Sequence, residues 1–174
     1  MVLTSGQGLA LVRIGFGLYF LSNAWDKINK GWLSSGQPLI DGSITQSLQR
    51  GTAEPFYRPF LENVVVPHGA LFGQLVAAGE LLVGISLVLG LLMRLGCLGI
   101  LILNTNYMLM KGLANNAGSN DRLFVLTAVA FFLASAGLVW GLDGRLRDLL
   151  GSNALGRWLA GAAPPSHEVA PGKA

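Results

Sequence analysis

Four stretches of the chain are almost continuously apolar, and a helix needs about 20 such residues to cross a hydrocarbon layer. The first predicts a helix from about Gln7 to Ile28, with Arg13 as its only charge before Asp26. The second runs from about Gly69 to Met93 and carries Glu80 near its middle. The third, about Leu95 to Met110, is shorter and holds Asn104, Asn106 and Tyr107. The fourth, about Leu123 to Leu142, has no charge. Apolar residues run on without alternating, which favours helices over β-barrel strands. The leading MVLTSGQG has no positive charge and no clear small-residue cleavage site follows the apolar run, so the first helix reads as a retained span.

The connections are unequal. Met93-Arg94-Leu95-Gly96 joins the second and third helices almost directly, which demands an antiparallel hairpin. KGLANNAGSND, rich in Gly and Asn, joins the third and fourth. About forty residues separate the first two helices, a length seldom left without structure. Within it Ser43-Ile44-Thr45-Gln46 has capping-box spacing, and Gly51 suits the end of a short helix. Pro55 suits the start of another, with Phe56, Phe60 and Val64 on one face. With Trp25, Trp32 and Tyr57 close by, this loop is expected at the membrane–water interface. Beyond Asp143, three arginines (145, 147 and 157) alternate with Leu and Trp, as in an amphipathic interfacial helix. AAPPSHEVAPGKA follows as a Pro-rich tail expected to be disordered. The predicted division is a transmembrane unit over 1–148 and an amphipathic segment with tail over 149–174.

Composition agrees with a bilayer as solvent. Of 174 residues 52% are hydrophobic and 12% charged, half the share of an ordinary soluble domain. The net charge of +3 is spread as single and paired Lys and Arg, without the basic face that nucleic acid requires. Basic residues are nearly balanced between the two sides of a four-span arrangement, so charge counting leaves orientation open.

The candidate chemistry lies in the polar residues of the spans. Gly73, Ala77, Glu80 and Gly84 share one face, so Glu80 is expected to point at a neighbouring helix and not at lipid. Arg13, four residues before Gly17, is the expected ion-pair partner, with Glu80 as a proton-handling carboxylate. A polar clamp between helices accounts for Glu80 equally well. Asn106 and Tyr107 suit a polar pocket at the membrane edge, or interhelical hydrogen bonds. His68, in Pro67-His68-Gly69, suits either a hydrogen bond to a quinone carbonyl or a solvated helix end. Cys97 stands alone, and His68 and His167 are the two histidines, so the sequence offers no haem, metal, flavin or nucleotide motif. A redox role would therefore use a mobile lipophilic carrier or a partner's cofactor.

These residues, in this order, resemble DoxX-like proteins. LVRIGFGLYFLSNAWDKI is similar to their first helix, and GELLVGISLVLGLLMRLG, with Glu80, Gly84, Gly90, Leu91 and Arg94, to their second. NYMLMKG and NDRLFVLTAVAF resemble the third and fourth at Asn106, Tyr107, Asn120 and Asp121. The loop PFYRPFLENVVVPHGALFG is similar to the DoxD-type branch, which includes the membrane subunit of thiosulfate:quinone oxidoreductase. The resemblance covers about residues 7–148. It implies an all-α fold, an integral membrane four-helix bundle with both termini cytoplasmic, in a bacterial or archaeal cytoplasmic membrane. The long interfacial loop would lie outside, and the amphipathic C-terminal helix would follow the bundle. It also implies quinone-linked sulfur or thiol redox chemistry beside a separate DoxA-type partner chain.

The expectation is a membrane subunit of a quinone-linked oxidoreductase, with Glu80 and Arg13 at a proton site and Asn106, Tyr107 and His68 around a quinone. Gly84, Gly90, Arg94, Asn120 and Asp121 are expected in structural roles. A non-catalytic anchor of a larger complex is the alternative. A small-solute transporter is a third, disfavoured by the lack of an inverted repeat.

Overall fold

The computed structural model describes residues 2–35, 39–116, 119–150, 154–159 and 161, and these are helical or in turns, with no strand among them. The first long helix, α1 (Ser5–Asn29), opens on a capping box in which Thr4 and Gln7 exchange hydrogen bonds. α4 (Gly69–Leu89), α5 (Met93–Lys111) and α6 (Ser119–Leu133) complete a set of four that encloses one core. Phe20, Val83, Leu87, Cys97, Ile100 and Phe131, drawn from all four, are its buried centre.

The close approach of α1 and α4 follows from their glycines. A Cβ on Gly17 would stand 2.8 Å from the Val88 backbone nitrogen, and one on Gly84 2.9 Å from that of Leu21. The helices run antiparallel in that register, so Glu80 faces the Ala24–Lys27 turn and Arg13 faces the turn after Gly90. The outer faces of α4 and α6 carry long apolar side chains in the open: Leu82 is 66% exposed, and Leu126 and Leu133 likewise project outward. Among the described residues two helices, Arg58–Leu89 and Met93–Lys111, are long and apolar enough to cross a membrane.

The α4–α5 hairpin is tighter than the sequence pattern suggests, since α5 begins at Met93 and not at Leu95. Gly90 sits at φ +59°, and a Cβ there would strike the Arg13 guanidinium, so only glycine fits. Asp143 caps the start of α5, accepting from Leu92 N at 2.6 Å and Met93 N at 3.0 Å.

The fourth span departs from expectation. α6 stops at Leu133, and 134–142 form turns in which Ser135 and Trp140 take positive φ. Arg13 makes this possible. Its guanidinium donates to Ala136 O and Trp140 O, both at 2.8 Å, and so satisfies carbonyls that a continued helix would have bonded itself.

The loop between α1 and α4 is largely helical. A π-helical turn (Leu39–Ile44) runs straight into α2 (Thr45–Arg50), so the helix passes through Ser43 and the expected capping box does not form. Gly51 ends it at φ +64°, as its position suggests. Residues 55–57 form a turn, and the next helix starts at Arg58, not Pro55; α3 (Arg58–Phe60) continues through Leu61–His68 into α4. Of the loop's aromatics Trp32 is buried and Phe56 exposed, and Trp25, near the end of α1, is exposed as well. A second core of Trp32, Leu39, Ile44, Leu61, Val65 and Met110 seats the loop on α4 and α5.

Past the turns, α7 (Asp143–Leu150) and α8 (Ala154–Leu159) stand where one amphipathic helix is expected. The Arg94 guanidinium lies over the rings of Phe132 at 5.2 Å and Trp158 at 5.4 Å, tying α8 to the helices. His167 and the Pro-rich tail lie outside the described residues.

Candidate functional site: a carboxylate between two cavities

Glu80 is buried on the small-residue face of α4, as its spacing predicts, but its partner is not Arg13. Lys27 Nζ sits 2.6 Å from Glu80 Oε2, and the Tyr107 hydroxyl donates to Oε1 at 2.8 Å. The expected Arg13–Glu80 pair fails on axial distance. Arg13 is level with Gly90, ten residues or about 15 Å of helix from Glu80. Arg13 is fully buried at the opposite end, among the 136–140 carbonyls and near Asp143.

Lys27 has no site role in the sequence pattern because it falls near the helix end, where a lysine ordinarily snorkels to water. The signal was present. Arg13, Gly17, Phe20, Ala24 and Lys27 recur at helical spacing, and the first four, with Ala10, are the buried residues of α1. Lys27 Nζ also lies 5.3 Å from the centroid of the Trp32 ring, which packs it from the loop.

Two cavities meet at Tyr107. One is an apolar cleft of about 360 Å³ between α4 and α5, closed above by Tyr57, Phe60 and Leu61 of the loop. Asn106 and Tyr107 are on its wall, and the outward-facing Leu75 and Ile102 are at its rim. Asn106 accepts a short hydrogen bond from the Tyr57 hydroxyl and donates to Ile102 O at 2.7 Å. Burial pushes the Tyr57 phenol above its ordinary range, so it stays a donor at neutral pH. The other cavity, about 190 Å³, is the more polar of the two: Lys27, Glu80, Asn23, Asn104, Lys111 and Asp121 line it beside Tyr19, Phe20, Trp32 and Phe124. Tyr107, Leu39 and Met110 belong to both.

The remaining predicted residues are distributed as follows. Asp121 is buried and accepts from Lys111 Nζ at 2.7 Å, joining α6 to α5, while Asn120 is exposed. Gly84 and Gly90 are points of close packing. His68 lines neither cavity; it is exposed before α4 with Nδ1 2.8 Å from Val64 O. No group of three or more His, Cys, Asp or Glu suited to a metal occurs among the described residues.

The family model described as "TQO small subunit DoxD" matches residues 9–162. The chain belongs to the DoxD family. No curated protein and no solved structure matches it. The DoxD family, with the apolar helices, makes the chain a membrane protein, and the family description names a subunit of a larger enzyme. In this DoxD protein the residues that carried the resemblance fall into two groups. Glu80, Asn106, Tyr107 and Asp121 gather around the two cavities, while Gly90 and Arg94 belong to the opposite end.

Proposed function

We propose that this protein is the membrane subunit of a thiosulfate:quinone oxidoreductase-like complex, and that its four long helices form a bundle spanning the membrane. Both termini would be cytoplasmic and the long loop would face outward. The observation that carries the site assignment is Tyr107, standing between an apolar cleft and a buried lysine–glutamate pair.

A cleft of about 360 Å³ is within the usual size of small-molecule sites, and its lining suits a lipophilic ring with a tail leaving between Leu75 and Ile102. When bound there, a quinone supplies a two-electron, two-proton acceptor for a sulfur compound or thiol oxidised by a partner chain. Tyr107 and Asn106 are the polar groups on the cleft wall that would orient it. The hydrogen bond from Tyr107 to Glu80 gives a proton a route between the cleft wall and a carboxylate, and Lys27 holds that carboxylate in place. The loop aromatics Tyr57 and Phe60 exclude water from the cleft.

Tyr107→Phe is the test, because it retains the ring and removes the hydroxyl, whose proton a bound quinone would draw away from Glu80 to its own carbonyl. Saturable quinone binding to the purified protein should weaken about 5–10-fold, the loss of about one hydrogen bond. Absence of saturable binding in the parent protein would overturn the site. The anchor reading draws on a different observation: Glu80 is already fully engaged by Lys27 and Tyr107, as a clamp between helices would be. It predicts that Tyr107→Phe loosens the helices and leaves quinone affinity unchanged.

A further inference from the structure

The polar cavity continues toward the long loop. A third cavity of about 200 Å³, lined by Gln46, Arg50, Thr52 and Asn115, shares Ser43, Met110 and Lys111 with it. Gln46, Arg50 and Asn115 are exposed, so this outer cavity meets the surface on the side of the long loop. From that surface the polar groups run inward past Lys111 and Asp121 to Lys27 and Glu80, and end at Tyr107. In the other direction Phe20, Val83, Leu87, Cys97, Ile100 and Phe131 fill the space between Glu80 and Arg13, all 4% exposed or less. About 15 Å of packed apolar side chains therefore separates Glu80 from the opposite end.

A second observation bears on the contents. The Nε1–H of Trp32 is buried on the wall of the polar cavity and has no partner among the described residues. A buried donor costs roughly 1–3 kcal/mol when unmatched, and a polar space of about 190 Å³ has ample room for water.

We infer that Ser43, Lys111 and Asp121 line a water-filled passage through which Glu80 exchanges protons with the loop side of the membrane. The inference rests on the quinone reading only for the purpose of the protons: reduction in the cleft takes up two, delivered at Tyr107 from Glu80. Groups facing Glu80 are Lys27 from α1 and Tyr107 from α5, with Lys111 and Asp121 further along the same cavity. Lys111 is one-third exposed and lines both cavities, and its partner Asp121, 6% exposed at the side chain, lines the inner one, so the pair stands where the two cavities join. Water reaches Glu80 without crossing the cleft, which keeps the quinone side dry.

The native Cys97 is fully buried, so single cysteines can be introduced and probed. Ser43→Cys, Asn23→Cys and Asn104→Cys place thiols on the passage, and exposed Ser5→Cys reports the other side. Oriented membrane vesicles would be treated with a membrane-impermeant cationic methanethiosulfonate from either side. The passage predicts modification at 43 and at 23 or 104 from the loop side, at least 10-fold faster than from the side that modifies position 5. Two internal positions keep the test valid if one substitution fails to fold. Modification at 23 and 104 from the side of position 5, or from neither side in folded protein, would overturn it. A quinone analogue should leave modification at 104 unaffected. If the analogue protects 104 from a reagent that otherwise reaches it from the loop side, the passage stands and the cleft assignment falls.

Discussion

Removing either member of the Lys27–Glu80 pair should destabilise the protein, and removing both should cost less than the two losses together. Glu80 is 4% and Lys27 17% exposed at the side chain, with 2.6 Å between the charged atoms. Breaking a buried pair by deleting one partner ordinarily costs about 3–5 kcal/mol. Two features here reduce that. The polar cavity beside the pair gives a stranded charge access to water, and Glu80→Gln leaves an oxygen to accept from Tyr107. We expect about 2–3 kcal/mol for Glu80→Gln or Lys27→Met, and a coupling of about 1.5–3 kcal/mol between them. The assay is equilibrium unfolding of the purified chain in mixed micelles with rising SDS, followed by helical circular dichroism. Losses that add within about 0.5 kcal/mol would refute the pairing, since independent sites add to that tolerance.

Gly84→Ala sets a methyl 2.8 Å from Leu21 Cγ and 2.9 Å from its backbone nitrogen, and should lower stability by about 1–3 kcal/mol in the same assay. Gly79→Ala is its control: the nearest atom is 3.5 Å away, so gain in helix propensity should leave stability unchanged or slightly raised. Asp143→Ala strands the Leu92 and Met93 N–H groups and takes a countercharge from Arg13, with an expected loss of about 2–4 kcal/mol, and a near-neutral result would contradict the capping role. Burial pushes the Asp143 carboxyl up from its ordinary range, against the opposing pull of those N–H groups and of Arg13. A carboxyl with a raised native value stabilises most in acid, and the contribution is lost as pH rises through that value. The margin of the parent protein over D143N should therefore shrink as pH rises above the ordinary carboxyl value of about 4, and a margin growing with pH would contradict the sign.

The four long helices were legible because lipid-facing and core-facing residues are both apolar, and their runs stand out against polar connections. The inward direction of Glu80 was legible too, through the small residues at helical spacing beside it. Its partner was not, because facing residues in an antiparallel pair depend on register, and register is set by where Gly17 and Gly84 meet the other helix. An early Arg and a mid-helix Glu looked compatible by depth alone. The end of α6 was hidden for a related reason. Residues 134–142 are apolar and read as helix, and what unwinds them is Arg13, more than a hundred residues earlier. The capping role of Asp143 is not legible, because a cap for α5 supplied from fifty residues downstream leaves no local spacing to read. The apolar cleft needed the loop helices to close over α4 and α5, a packing of Tyr57, Phe60 and Leu61 that periodicity does not reveal.

The central claim is that a quinone occupies the cleft between α4 and α5, against Tyr107. Photolabelling of the membrane-embedded protein with an azidoquinone, followed by peptide mapping, tests it most directly. The account predicts label within residues 57–79 and 99–110, lost when unlabelled quinone competes. Label that does not compete, or that maps to the α7–α8 end, would contradict it.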